Sequence, residues 1–326
     1  MKAGRNGQAM IVTVTPNTAL DRVIFVDGFA WGRTVRAREA LWSPGGKGCD
    51  AAWVVAELGQ PCVALGLAAG ESGRRLQGML EERGVQVDFV WAAGETRTNY
   101  VLVDAANHRQ STVAVSGLEV AAGHLAALEA RLEHWLPRCR ALHLGGGVPA
   151  GMPPDWYVPW IRRARAMGLP VLLDASGPTL AASAPAGPTV LKPNLDELAE
   201  LVGRPPGGPA EVLAAAQELL GWGVDLVVAS LGAEGALAVT RSVAYRLPPL
   251  PVEPVNCAGA GDAMMAALAI ASAEGWPLEE GLRLAMAAAA AVVITPGTAE
   301  CHRADVERLL PQVRLEAMSI SRSARP

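Results

Sequence analysis

VEPVNCAGAGDAMMAALAIASA, residues 252–273, holds the pieces of an anion site in one run. A short apolar lead at 252–255, interrupted by Pro254, reads as strand-like. The glycine turn Gly259-Ala260-Gly261 then passes straight into Asp262 and an apolar run, 263–273, that reads as a helix. Glycines in such a turn adopt positive φ without steric cost and let the backbone come close to a ligand. The helix behind them aims unpaired N–H groups and the positive end of its dipole at the turn, which favours an anion. An aspartate at the mouth of an anion site repels that anion, so Asp262 makes sense as a base beside it. A plainer reading, an aspartate that caps the helix, stands next to this one at the level of local pattern.

Outward from that stretch, strand-like and helix-like segments alternate. Strands read at 10–14, 62–67, 85–91, 100–104, 141–144, 171–174, 190–192 and 226–230, with a hairpin-like pair at 236–239 and 243–247. Helices read at 51–58, 74–83, 125–135, 156–167, 210–219, 278–294 and 304–310, and another begins near Asn194 and runs to Val202. Polar residues collect at the strand ends. The pattern predicts an α/β fold with a doubly wound, mostly parallel sheet and helices on both faces. Extended pieces near 22–40 and 97–116 read as a small inserted β-sheet lid. We expect a single domain over 1–326, with no repeat or linker dividing it.

Bulk properties narrow the function. The 326 residues suffice for a large core, and half the chain is apolar, as helices on a buried sheet require. A net charge of −4 argues against nucleic acid or an anionic membrane as partner. Five cysteines without CxxC spacing suggest reduced, buried thiols in a cytoplasmic protein and no structural zinc. The N-terminal MKAGRNGQAM lacks the apolar stretch of a signal peptide, and the run 284–294 is too short to span a bilayer. Of 28 basic residues only Lys2, Lys47 and Lys192 are lysines, so the two internal ones mark places that want a compact cation.

Those lysines lie in further polar loops. The first strand ends in Thr15-Pro16-Asn17-Thr18-Ala19-Leu20-Asp21, with no GxGxxG, which counts against a dinucleotide-binding dehydrogenase. Gly45-Gly46-Lys47-Gly48-Cys49-Asp50 opens a helix but lacks the spacing of a Walker A loop. Gly94–Asn99 brings Arg97, either an anion ligand or a solvated side chain. Asn194 and Glu197 stand three apart on one helix face, suited to a metal–water cluster or simply to a polar cap.

Taken together, these loops resemble the ribokinase-like PfkB carbohydrate kinases over nearly the whole chain, most closely the phosphosugar branch. Thr15-x-Asn17-x-x-x-Asp21 is similar to that branch's TLNPSxD, Gly45–Asp50 to GGKGxN and Gly94–Asn99 to GxTRxN. Lys192–Glu197 is similar to KPNxxE, Ser230–Gly235 to SLGxxG, and Gly259–Asp262 is the GAGD signature. The resemblance implies ATP- and Mg²⁺-dependent transfer of a γ-phosphoryl group to a sugar hydroxyl. Fructose 1-phosphate leads the acceptors it implies, with tagatose 6-phosphate and fructose 6-phosphate behind it.

Carried over residue by residue, it makes Asp262 the base, with Gly259, Ala260 and Gly261 supplying the backbone cradle. Asp21, Gly45 and Gly46 would hold sugar hydroxyls, with Asn17, Asp50 and Asn99 also in the substrate pocket. Lys47 and Arg97 would bind the phosphate already on the acceptor. Lys192, Asn194, Ser230, Gly232 and Gly235 would serve the nucleotide, and Asn194 and Glu197 would order Mg²⁺ through water. The lid would pair two subunits into a homodimer. Three positions depart from the pattern: Asp50 replaces an Asn, Gly147 replaces the Ser of GSLP, and Asn256-Cys257-Ala258 replaces a Thr-rich lead. The first two favour a competing reading, a kinase of an unphosphorylated sugar or nucleoside; a third reading, a non-catalytic sugar-binding regulator on the same fold, is opposed by the intact Asp262 and its glycine turn. Arg33 and Arg36 are candidates to offset the charge of Asp50.

Overall fold

The computed structural model describes residues 9–319. Residues 1–8, with Lys2 and most of the N-terminal stretch that lacks the pattern of a signal peptide, lie outside the described residues. In chain order the elements begin with β1 (Met10–Thr15), β2 (Ala19–Val26), β3 (Ala37–Gly45), α1 (Lys47–Glu57), β4 (Cys62–Ala68), α2 (Gly70–Glu82), β5 (Gln86–Trp91), β6 (Arg97–Asp104) and β7 (Arg109–Val113). They continue with α3 (Ala122–Trp135), β8 (Cys139–Gly145), α4 (Tyr157–Ala166), β9 (Val171–Asp174), α5 (Gly177–Ser183), β10 (Val190–Leu191), α6 (Leu195–Val202), α7 (Pro209–Leu220) and β11 (Leu226–Ser230). Last come β12 (Ala236–Val239), β13 (Ala244–Leu247), α8 (Ala260–Glu274), α9 (Leu278–Val293), α10 (Arg303–Leu309) and β14 (Glu316–Met318).

Among the described residues, ten strands form one sheet in the order β14-β13-β12-β11-β10-β9-β8-β1-β4-β5. It is parallel from β11 through β5 and antiparallel at the β12–β14 edge. The chain winds from β1 outward through β4 to β5, then returns to β8 and winds the other way. The winding therefore reverses between β1 and β8, the position where doubly wound sheets open a crevice for ligands. One apolar cluster joins α1, α8 and α9 to one face of the sheet. A second joins α3, α4 and α7 to the other. The α8 side chains from Ala263 to Ala271 are all buried, because the helix lies between the sheet and α9. Their small size permits this: a Cβ on Gly281 of α9 would stand 2.8 Å from that of Ala271.

A second, four-stranded sheet runs β3-β2-β6-β7. It grows directly out of the site end of the large sheet, since β2 follows β1 and β3 leads into α1. Parallel register sets Asp21 of β2 opposite Asn99 of β6.

Several boundaries differ from the sequence reading. Residues 252–255 join no strand: Pro251 and Pro254 have no N–H to give a ladder, and Val255 N–H bonds to Val293 O at 2.8 Å. Helix α1 starts at Lys47 rather than Ala51, so Gly48, Cys49 and Asp50 form its first turn. The small sheet takes in residues 19–45, while 27–36 between its strands is an exposed loop that carries Arg33 and Arg36. Helix α5 and strand β14 had no signal strong enough to read, being short and flanked by turn residues. Four cysteines are buried as expected, but Cys257 is exposed.

Candidate active site

The first helical bond of α8 runs from Ala263 N–H to Gly259 O at 2.9 Å. Ahead of it, the N–H groups of Gly261 and Asp262 have no carbonyl of their own, while that of Ala260 reaches Cys257 O at 3.4 Å. Gly259 caps the helix with φ 85°, and a Cβ there would come within 2.5 Å of Ala299 Cα. Only glycine permits that backbone contact. Lys192, buried at the end of β10, brings its ammonium to 3.1 Å from where a Cβ of residue 261 would stand. A cation beside the positive end of a helix repels it, so this pairing describes a cradle shaped for an anion.

Asp174 holds the cradle's cations. It ends β9, is 1% exposed, and pairs with Lys192 Nζ at 3.0 Å and with Lys47 Nζ. Burial pushes its carboxyl up, but Lys192 and Lys47 outweigh that and hold it at about 2. Lys47 also reaches Glu197 Oε1 at 3.4 Å. Burial pulls the Lys47 ammonium down, yet Asp174, Glu197 and Asp262 together raise it above the ordinary lysine value. The sequence reading did not include Asp174 in the site. An aspartate closing a parallel strand was the available signal, but it gains its meaning from Lys192 on the next strand's end and from Lys47, 127 residues away.

Asp262 lies one residue beyond the cradle. Its Oδ1 is buried and, among the described residues, receives no hydrogen bond. Burial, then the neighbouring Asp174, push its carboxyl up to about 7, against the pull of Lys47 and Lys192; Asp21 adds a smaller push upward. A carboxyl titrating there is poised as a proton acceptor at neutral pH.

The other sequence-selected residues separate into two groups. On the small-sheet side, Asn99 Nδ2 donates to Asp21 Oδ1 at 3.0 Å, and burial pushes Asp21 up to about 6 against the pull of that amide. Gly45 lies against the same carboxyl: a Cβ there would come within 2.8 Å of Asp21 Cγ. Gly46 caps α1. Arg97 donates to Asn17 O and Val115 O, both at 3.2 Å. Asp50 is buried on α1 behind this group.

The second group lies along the ends of β10 and β11. Asn194 Oδ1 accepts Glu197 N–H at 2.8 Å, and Glu197 Oε2 accepts Asn194 N–H at 2.9 Å. This is a capping box on α6. Asn194 also bridges to Ser230, which closes β11 ahead of the turn holding Gly232 and Gly235. A Cβ on Gly235 would come within 2.9 Å of Pro249 N, so that glycine serves the packing of the turn. Lys47 belongs with this group through its ion pairs, although the sequence reading placed it beside Arg97.

The capping box uses Glu197 Oε2 and leaves Oε1 to Lys47 Nζ at 3.4 Å. No group of three or more His, Cys, Asp or Glu side chains able to hold a metal occurs among the described residues. A lone carboxylate such as that of Glu197 is a donor compatible with a magnesium ion held chiefly by water and phosphate oxygens.

The profile of the pfkB family of carbohydrate kinases matches residues 12–305. The chain belongs to this family. It is 34% identical over 303 residues to an ATP-dependent 6-phosphofructokinase isozyme 2 of Mycobacterium tuberculosis, covering 93% of this chain and 89% of that protein. It is 36% identical over 284 residues to a 1-phosphofructokinase of Xanthomonas campestris pv. campestris, covering 85% and 88%. Among solved structures it superposes on phosphofructokinase-2 from Escherichia coli in complex with substrates and products, with TM-score 0.86 and 30% identity over 93% of this chain and 99% of that one. As a pfkB kinase it is a phosphotransferase with a hydroxyl acceptor. Among the described residues no helix is long and apolar enough to cross a membrane.

Proposed function

We propose that the enzyme transfers the γ-phosphoryl group of ATP to a hydroxyl of a phosphorylated ketohexose. Fructose 1-phosphate is first among the acceptors, followed by fructose 6-phosphate and tagatose 6-phosphate. The observation that carries this reading is the unpartnered Asp262 Oδ1 set beside the free N–H groups that open α8 and the Lys192 ammonium. Asp262 accepts the acceptor hydroxyl's proton, and the freed oxygen attacks the phosphorus as ADP departs. The N–H groups of Gly261 and Asp262, with Lys192, stabilise the charge on the transferring group.

Asp21, Asn99, Gly45 and Gly46 orient the sugar, with Asn17 at the pocket rim. Arg97 takes the phosphate already on the acceptor. Lys47, tied to Asp174 and Glu197, serves that phosphate and the transferring one together. Asn194, Ser230, Gly232 and Gly235 line the nucleotide side, and Asn194 with Glu197 orders Mg²⁺ through water, where the ion neutralises phosphate charge. The chain acts as one ribokinase-like domain in which the small sheet is a lid that excludes water. Tyr100 and Val113, opposite each other on that sheet and 41% and 53% exposed, supply a surface through which two copies pair. Use of ATP as the phosphoryl donor supports a cytoplasmic location.

An assay of ATP consumption against phosphorylated and free ketohexoses tests this reading. Turnover confined to the phosphosugars, with Arg97→Ala raising their KM far more than that of ATP, supports it. Preference for free sugars or nucleosides would replace it.

A further inference from the structure

Asp50 is 3% exposed, in the first turn of α1. Its N–H donates to Gly46 O at 3.0 Å, but among the described residues nothing donates to its Oδ1. The titratable groups around it come from four elements: Asp21 on β2, Asp262 on α8, Arg97 on β6 and Lys47 on α1 itself. Two are carboxyls. Neither cation bonds to Asp50: Arg97 donates to the carbonyls of Asn17 and Val115, and Lys47 pairs with Asp174 and Glu197. An ionised Asp50 would thus be a buried charge facing two other carboxyls, with no ion pair among the described residues and no donor to its Oδ1. Such a group takes up a proton instead.

We propose that Asp50 works as a neutral carboxylic acid whose O–H donates a hydrogen bond to an oxygen of the bound phosphosugar. This rests on the phosphosugar reading above. Burial, then Asp262 and Asp21, push the carboxyl well above the ordinary aspartate range, and Arg97 and Lys47 do not offset them. The family's pattern has a carboxamide at this position, and a protonated carboxyl offers the same neutral donor in nearly the same shape. The departure at position 50 therefore brings no extra negative charge against a phosphorylated acceptor. It keeps the donor and makes it sensitive to protonation, which an amide is not.

Calorimetric titration of wild type, Asp50→Ala and Asp50→Asn with fructose 1-phosphate and fructose 6-phosphate tests this at neutral pH. Asp50→Ala is expected to weaken binding by about tenfold, the effect of one lost hydrogen bond, and Asp50→Asn to restore most of it. An Asn variant no better than the Ala variant would overturn the proposal. So would tighter binding in either variant, since that is what removing a charged carboxylate would produce. Infrared spectroscopy supplies a readout independent of substrate. A carbonyl stretch of a buried protonated carboxyl should be present in wild type, missing in Asp50→Asn and kept in Asp262→Asn, and identical bands in wild type and Asp50→Asn would overturn the assignment. If no phosphosugar binds wild type, the acceptor reading fails, while the infrared band still reports the protonation of Asp50.

Discussion

Gln110 Oε1 accepts the Cys257 N–H at 2.9 Å, so a side chain of β7 in the small sheet grips the backbone two residues ahead of Gly259. Ala258, next in the chain, packs on the apolar cluster of Val23, Phe25, Val101 and Val103 in the same sheet. The small sheet and the glycine turn that opens α8 are therefore linked within one chain. Removing that hydrogen bond in Gln110→Ala costs about 1 kcal/mol. It is expected to raise KM for the acceptor by about fivefold and to increase ATP hydrolysis without acceptor. Steady-state kinetics with and without sugar measure both, and wild-type values for both would show that this contact does not hold the lid.

Asp262→Asn is expected to lower kcat by on the order of 10²–10⁴, the usual contribution of a general base, with little change in ATP affinity. In the wild type the carboxyl must be ionised to accept a proton, and its pKa is about 7. Hence kcat/KM should rise with pH and level off above about 7. Stability moves the other way. A raised carboxyl pKa contributes stability that is complete below the unfolded value, about 4, and is lost as pH rises through about 7. Asp262→Asn stays neutral, so its Tm advantage over wild type should be larger at alkaline than at acid pH. A Tm difference independent of pH would contradict the shift.

Lys47→Met takes from buried Asp174 one of its two ammonium partners and leaves Glu197 Oε1 unpaired. We expect a loss of about 1–3 kcal/mol in urea unfolding, since a buried polar group then lacks its partner. With Glu197 on the nucleotide side as proposed, KM should rise for both ATP and the acceptor. A rise for the acceptor alone would confine Lys47 to the acceptor phosphate.

Gly147 stands where the family's pattern carries a serine. A Cβ there would come no closer than 3.9 Å to Ser176 Oγ and Thr179 Oγ1, ordinary contact distances. Its backbone is outside the left-handed region, so Gly147→Ser should fold with a Tm close to wild type. The added hydroxyl supplies a donor near the pocket and is expected to lower KM for a phosphorylated acceptor about fivefold, at about 1 kcal/mol per hydrogen bond. A lower KM for free sugars only would place that hydroxyl away from the acceptor's phosphate.

Much of the architecture was legible because it is written in short-range pattern. Apolar periodicity marked most of the strands and helices, and glycine next to polar residues at strand ends marked the loops that form the site. Where local pattern misled, a backbone donor or a helix start was at issue: residues 252–255 are apolar enough for a strand, but their prolines cannot bond in one. Likewise the glycines of 45–48 suggested a turn, while helix α1 begins inside them at Lys47.

By itself, then, the order of residues determined the alternation of elements, the family, and the candidate carboxylates, amides and lysines. Only the tertiary structure decided which of them meet. The Lys47–Asp174 pair joins residues 127 apart and the Lys47–Glu197 pair residues 150 apart. Neither is implied by periodicity, because each depends on strands β9 and β10 lying side by side near the winding reversal. The raised pKa values of Asp50 and Asp262 follow from the same cause. A carboxyl's charge state depends on how much water and how many opposite charges reach it, and here both are set by packing between distant segments.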